Sequence, residues 1–136
     1  MNTFEVRQIG QVHSPLTVRA AAPRQPDEGA PEAWLVFDED VREALQDVAV
    51  GDEYVLLTWL HAADRSTLAV HPRGDFDRPV QGVFTTRAPD RPNPIGLHRV
   101  RITGVDGLRL RVEALEAIDA TPILDLKPVI GDIADR

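Results

Sequence analysis

The stretch from Arg99 to Glu113 constrains the fold most. Val100 and Ile102 alternate with Arg99, Arg101 and Thr103. An Asp106-Gly107 pair follows, and beyond it Leu108, Leu110 and Val112 alternate with Arg109, Arg111 and Glu113. A period of two gives each strand one apolar and one charged face, and Asp-Gly is a strong turn signal. The spacing therefore predicts an antiparallel hairpin with one buried face. Such a hairpin needs further strands to cover that face.

Short strand signals supply them. Phe4 to Val12 reads as a strand closed by Ser14-Pro15, and Trp34 to Phe37 as a short apolar one. Tyr54 to Leu60 is a nearly continuous apolar run, as expected of a central strand. Thr67 to Val70 and Gly82 to Thr86 are shorter, and Ala117 to Val129 offers a last strand interrupted by Pro122. Residues 20–33 hold Pro23, Pro26, Gly29 and Pro31 and read as a loop. One helix is predicted. Asp38 opens it, Val41, Ala44, Leu45 and Val48 keep helical spacing, Asp40 with Glu43 matches a capping box, and Gly51 ends it. The expected fold is mainly β: one domain over residues 1–136, a small closed or nearly closed β-barrel with one short helix. Strand–helix alternation and a glycine-rich strand-to-helix turn are both absent, so a nucleotide-like cofactor would bind outside a Rossmann crevice.

With 136 residues the chain can bury one core. It has no cysteine, which excludes disulfides, thiolate metal sites and cysteine nucleophiles. No apolar run approaches the roughly 20 residues of a membrane helix. The first ten residues carry Glu5 and Arg7 and no apolar signal core, so a cytoplasmic protein is expected. A net charge of −7 argues against a simple nucleic-acid-binding module. The charge is uneven, however. Residues 73–101 carry six arginines (Arg73, Arg78, Arg87, Arg91, Arg99 and Arg101) against Asp75, Asp77 and Asp90. Either that stretch is an ordinary solvated surface or it forms an anion-binding face.

Three stretches carry chemistry. In residues 87–97, Pro89, Pro92 and Pro94 fix three φ angles and remove three backbone donors. The segment should be stiff, extended and outside any ladder; it either presents Arg91 and the Asn93 amide as substrate contacts or is a structural loop with a buried asparagine. In residues 119–128, Asp125 and Lys127 flank Leu126, so on a strand both charges point one way and Leu126 the other. Lys127 is the only lysine. They form either a surface ion pair or one wall of a pocket. In residues 23–26, Arg24 and Gln25 sit between prolines and form either a carboxylate clamp or an ordinary turn. The histidines His13, His61, His71 and His98 lack metal-ligand spacing, and no metal is expected.

Together these stretches resemble the TsaA-like, or TrmO, family of tRNA methyltransferases. The likeness covers nearly the whole chain. It runs from Ile9-Gly10-Gln11-Val12-His13-Ser14-Pro15 through Pro23-Arg24-Gln25, Trp59-Leu60-His61, Ala63-Asp64-Arg65 and His71-Pro72-Arg73-Gly74-Asp75. Its most specific parts are Gly82-Val83-Phe84-Thr85-Thr86-Arg87 and Arg91-Pro92-Asn93-Pro94-Ile95-Gly96, and Thr121 to Pro128 closes it. The resemblance implies a small barrel that binds S-adenosyl-L-methionine without a Rossmann fold. It also implies a homodimer, and methyl transfer to N6 of threonylcarbamoyladenosine beside the anticodon of a threonine tRNA. Carried over by position, cofactor contacts fall on Pro23, Arg24, Gln25, His61, Ala62, Arg87, Leu97, Asp119, Ala120, Thr121 and Pro122.

Three positions depart from the family pattern. Ala88 stands where serine is usual, Ala120 where the pattern reads Asp-Gly-Thr-Pro, and Val129 where it reads Lys-Pro-Tyr. Asp125 and His61 are candidates for the group that takes the proton from N6. The competing reading is a barrel that binds S-adenosylmethionine or a nucleotide without catalysis, in a regulatory or assembly role.

Overall fold

The computed structural model describes residues 2–18, 22 and 29–131. Six strands form a closed barrel: β1 (Gly10–His13), β2 (Ala33–Phe37), β3 (Glu53–Trp59), β6 (Ile95–Asp106), β7 (Arg109–Val112) and β8 (Pro122–Pro128). Around the barrel they run β1-β2-β7-β6-β3-β8, with β8 pairing back to β1, and every pairing is antiparallel. A separate two-stranded sheet joins β4 (Ala69–Val70) to β5 (Gln81–Gly82).

The alternating residues of the hairpin fill the interior. Val100, Ile102, Leu110 and Val112 are buried with Val12, Leu35, Leu56, Leu115 and Ile123. Burying one such side chain contributes about 1.5–3 kcal/mol. The outward positions of the same strands carry Arg99, Arg101 and Arg109. Closure removes the unpaired strand edges that an open sheet of this size would expose.

Several elements differ from the expected bounds. β1 starts at Gly10, because Phe4 and Val6 lie exposed and pairing begins only with the Ile9 amide on the Ile123 carbonyl at 2.9 Å. The predicted helix is a 3₁₀ helix over Glu39–Leu45. Asp38 caps it without a side-chain hydrogen bond, and no Asp40–Glu43 capping box governs its start. The Glu39 carboxylate instead receives the Arg42 guanidinium at 2.7 Å, which holds the Glu39 pKa below the usual carboxylate range. The helix ends at Gln46. Gly51 lies beyond it, at φ 96°, where its amide donates to the Ile102 carbonyl at 2.8 Å. Val41, Leu45 and Val48 pack on the core, whereas Ala44 of the same predicted stripe is exposed. The run Gly82–Thr86 is strand only at Gly82 and turns into a short 3₁₀ helix over Val83–Thr85.

Antiparallel order sorts the connections into two ends. The β2–β3 connection with the 3₁₀ helix and the β6–β7 turn occupy one end. The β1–β2, β3–β6 and β7–β8 connections gather at the other. Among the described residues no helix is long and apolar enough to cross a membrane.

Candidate functional site

Most of the positions singled out in the sequence lie at that second end. His61 and Ala62 directly follow β3, Arg87, Arg91 and Asn93 belong to the approach to β6, and Asp119, Ala120 and Thr121 directly precede β8. Pro122 opens β8 opposite Gln11 of β1. Pro23, Arg24 and Gln25 fall in the β1–β2 connection, but they lie outside the described residues.

Backbone hydrogen bonds stitch these connections together. The Asp119 amide donates to the Leu16 carbonyl at 2.6 Å, and the Ala120 amide to the Val12 carbonyl at 2.7 Å. Asp119 Oδ1 accepts the Ser14 amide at 3.0 Å. The Thr121 hydroxyl donates to the Ile118 carbonyl at 2.7 Å. Ala120 sits at φ 66°, in the left-handed region where glycine is at ease and alanine is strained. The glycine usual in the family pattern thus has a conformational reason at this position, and Ala120 keeps the same backbone without it.

The proline-rich segment stands outside the barrel ladder up to Ile95, as its prolines require. Its arginine has an internal task. The Arg91 guanidinium donates to the carbonyls of Val83 at 2.7 Å, Thr86 at 3.2 Å and Ala88 at 3.1 Å. Arg91 therefore shapes the loop from within. Asn93 is exposed, and its Oδ1 accepts from Arg65 Nη2 at 3.1 Å. Arg65 also donates through Nε to the Pro92 carbonyl at 2.8 Å and lies 5.0 Å from the centre of the Trp59 ring. Asp90 Oδ1 accepts the Asp64 amide at 2.8 Å. Arg65 thus links the residues after β3 to the residues before β6, a role that the resemblance at Ala63-Asp64-Arg65 did not specify.

The outer face of β3, flanked by β6 and β8, adds a second group. Leu57 lies between Leu97 and Asp125, and Val55 between Arg99 and Lys127. A bulge brings Asp125 there: Thr58 opposes Ile123 but Leu57 opposes Asp125, which leaves Leu124 over. Bulges of this kind re-aim the side chains that follow them. Asp125 and Lys127 share this face and pair at 3.2 Å, while Leu126 packs on the core. Arg99 and Arg101 grip Glu53 at 2.6 and 3.0 Å. The hydrogen bond from Arg99 is the main reason that the Glu53 carboxyl is held below its usual pKa. Three arginines of the 73–101 stretch are thus engaged within the fold, which leaves less positive charge for an anion than the count implied.

Inside the barrel, below this end, lies a polar chain that the sequence reading missed. His98 is buried, with Nδ1 on Glu116 Oε1 and Nε2 2.8 Å from the Thr58 hydroxyl. The signal was present, because extending the Val100/Ile102 alternation backwards puts His98 and Gly96 on the inner face. Among the described residues, no group of three or more His, Asp or Glu side chains is placed to hold a metal.

The sequence also matches a known family over most of its length. The family described as tRNA-methyltransferase O N-terminal domain covers residues 11–135. The chain belongs to this family. A relative from Methanothermobacter thermautotrophicus, named a probable S-adenosyl-L-methionine-binding protein, is 39% identical over 130 residues, covering 96% of this chain and 93% of that one. One from Archaeoglobus fulgidus, named an S-adenosyl-L-methionine-binding protein, is 36% identical over 128 residues, with 94% and 91% covered. The crystal structure of TrmO from Pseudomonas aeruginosa superposes with a TM-score of 0.76 at 33% identity. That match takes in 99% of this chain but spans only 61% of the TrmO chain.

Proposed function

We propose that the chain binds S-adenosyl-L-methionine at the loop-bearing end of the barrel and is an S-adenosylmethionine-dependent tRNA methyltransferase. The acceptor in this reading is N6 of threonylcarbamoyladenosine, next to the anticodon of a threonine tRNA. The observation that carries it is the convergence of His61, Ala62, Arg87, Asp119, Ala120, Thr121 and Pro122 on one end of a closed barrel. The names of the relatives and the family description point the same way.

The chemistry of the residues fits such a donor. It carries a carboxylate, an ammonium, a ribose and an adenine ring. Arg87 and Arg24 offer charge for the carboxylate or ribose, and the exposed Asp119 offers charge for the ammonium. Leu97 beside Leu57 offers apolar surface. When bound, the donor supplies an already activated methyl group for in-line displacement. The chain's own residues then have to position the acceptor and exclude water. The link from Arg65 to Asn93 fixes one acceptor oxygen of the proline-rich loop. The Asn93 amide can hold a base edge by donating and accepting at once. Asp125 and His61 are the groups available to take the proton that leaves N6. Lys127, paired with Asp125 at 3.2 Å, offers a positive charge for the acceptor's backbone.

The second reading is a barrel that binds the same ligand without catalysis. The net charge of −7 and the commitment of Arg91, Arg99 and Arg101 to internal partners favour it. Mass spectrometry of tRNA nucleosides from cells with and without the gene separates the two. Loss of the N6-methylated threonylcarbamoyladenosine peak on deletion is expected. An unchanged peak, together with binding of S-adenosylhomocysteine by the pure protein, would remove this acceptor and leave the non-catalytic reading or methyl transfer to a small molecule.

A further inference from the structure

The buried chain Glu116–His98–Thr58 asks for an explanation beyond packing. Three separate elements contribute to it: the β7–β8 connection, β6 and β3. A carboxylate only accepts, so His98 Nδ1 carries a proton, and in the neutral ring Nε2 accepts from the Thr58 hydroxyl. Glu116 Oε2 is buried and has no hydrogen-bond partner among the described residues. A buried pair of this kind seldom improves on an apolar core, and an unpartnered oxygen makes the balance worse.

The neighbouring sequence is committed to the same arrangement. A Cβ at Gly96 would collide with Thr58 Oγ1 and come within 2.7 Å of His98 Nε2. Position 96 thus forgoes a side chain so that the hydrogen bond can be seated. The β7–β8 connection is also strained. It holds Ala114 at φ 40° and Ala120 at φ 66°, two of the four described non-glycine residues at positive φ. Such backbone persists only where the surroundings over-determine it. Glu116 lies between the two strained residues and ties the connection to β6, while the Ala120 amide ties it to Val12 of β1.

We propose that Glu116, His98 and Thr58 are positioning residues that set the β7–β8 connection, and with it Asp119 to Pro122, against β3 and β6. The chain therefore governs the affinity for the methyl donor without touching it. This rests on the binding site assigned above.

Calorimetry with S-adenosylhomocysteine on the full chain, run beside melting curves, tests the proposal. Glu116→Ala should weaken binding about tenfold or more, the scale of one lost buried hydrogen bond to a charged group. Glu116→Gln keeps an oxygen for the His98 Nδ1 proton and should stay within about threefold of wild type, since each tenfold is 1.4 kcal/mol. Val112→Ala, a core truncation on β7, sets the reference: it should lower Tm and leave affinity unchanged. Full affinity in Glu116→Ala would overturn the proposal, and so would an equal loss in Val112→Ala at a matched drop in Tm. If Glu116→Ala does not fold, Thr58→Val decides, because it keeps the shape and deletes only the hydroxyl. Weakened binding in Thr58→Val supports positioning and wild-type binding refutes it. No heat from the wild-type chain would remove the donor site and this proposal together, whereas binding indifferent to Glu116 removes this proposal alone.

Discussion

Arg65 donates to Asn93 across 28 residues of chain, at 3.1 Å, while its guanidinium also covers the Trp59 ring. This contact makes the proline-flanked asparagine part of an ordered surface at the loop-bearing end of the barrel. Asn93 is exposed, so its side chain adds little to the core.

Asn93→Ala should therefore cost activity and spare the fold. Losing a desolvated hydrogen bond to the bound acceptor removes about 1–3 kcal/mol, roughly a ten- to hundredfold drop in methyl transfer. The melting temperature should stay close to that of wild type. Both quantities are measured on one preparation. A large fall in Tm with full turnover would make the segment scaffold.

Arg91 predicts the reverse. Its donors satisfy the carbonyls of Thr86 and Ala88, so Arg91→Ala strands two backbone acceptors, while the Val83 carbonyl keeps the Thr86 amide and hydroxyl. Each lost bond of this kind, from a charged donor, is worth about 1.5–3 kcal/mol. Faster amide hydrogen exchange over residues 83–94 is expected, with the barrel strands unaffected. Unchanged exchange there, with weaker tRNA binding, would instead make Arg91 a substrate contact. Lysine cannot reproduce the fork of donors, so Arg91→Lys should behave like the alanine variant.

Ala120 gives a prediction of opposite sign. Glycine at φ 66° removes the Cβ clash that alanine carries there. Ala120→Gly should stabilise the chain by about 1 kcal/mol, a few degrees in Tm for a domain of this size. The Ala120 amide should keep its bond to the Val12 carbonyl, so affinity for S-adenosylhomocysteine should hold or rise. A lower Tm would show that the conformation is not strained.

The pattern of legibility follows from range. The β6–β7 hairpin, β2 and β3 were readable because alternation and Asp106-Gly107 act between near neighbours. The polarity of residues 125–127 was readable for the same reason, and the structure shows it as an outward ion pair over an inward Leu126. The bulge that aims Asp125 depends on the pairing of β8 with β3, far away in sequence, and no local signal marks it. Glu116 and His98 lie 18 residues apart, and His98 and Thr58 lie 40 apart. The helix went astray on a local point: Glu39 pairs with Arg42, and the short segment closes as 3₁₀ turns without a side-chain cap.

The long β3–β6 connection yields the last prediction. Leu68, Phe76, Val80 and Phe84 all lie on it with their side chains in solvent, Phe76 at 82% exposure and Phe84 at 84%. The Trp34 and Trp59 rings, by contrast, are covered by the Arg109 and Arg65 guanidinium groups. Apolar groups exposed this openly along one connection are candidates for an interaction surface. The expected partner is a second copy of the chain, as the family resemblance implies. A stable dimer needs about 800 Å² from each partner, more than one phenylalanine can supply, so several of these side chains must share the burial. Light scattering at micromolar concentration should give twice the 15.0 kDa chain mass. Phe84→Glu places a charge in that surface and should shift the mass to the monomer while leaving Tm of the barrel nearly unchanged, because Phe84 contributes nothing to the core. A wild-type mass of one chain across the concentration range would refute the dimer. A dimer that survives Phe84→Glu would move the interface away from this connection.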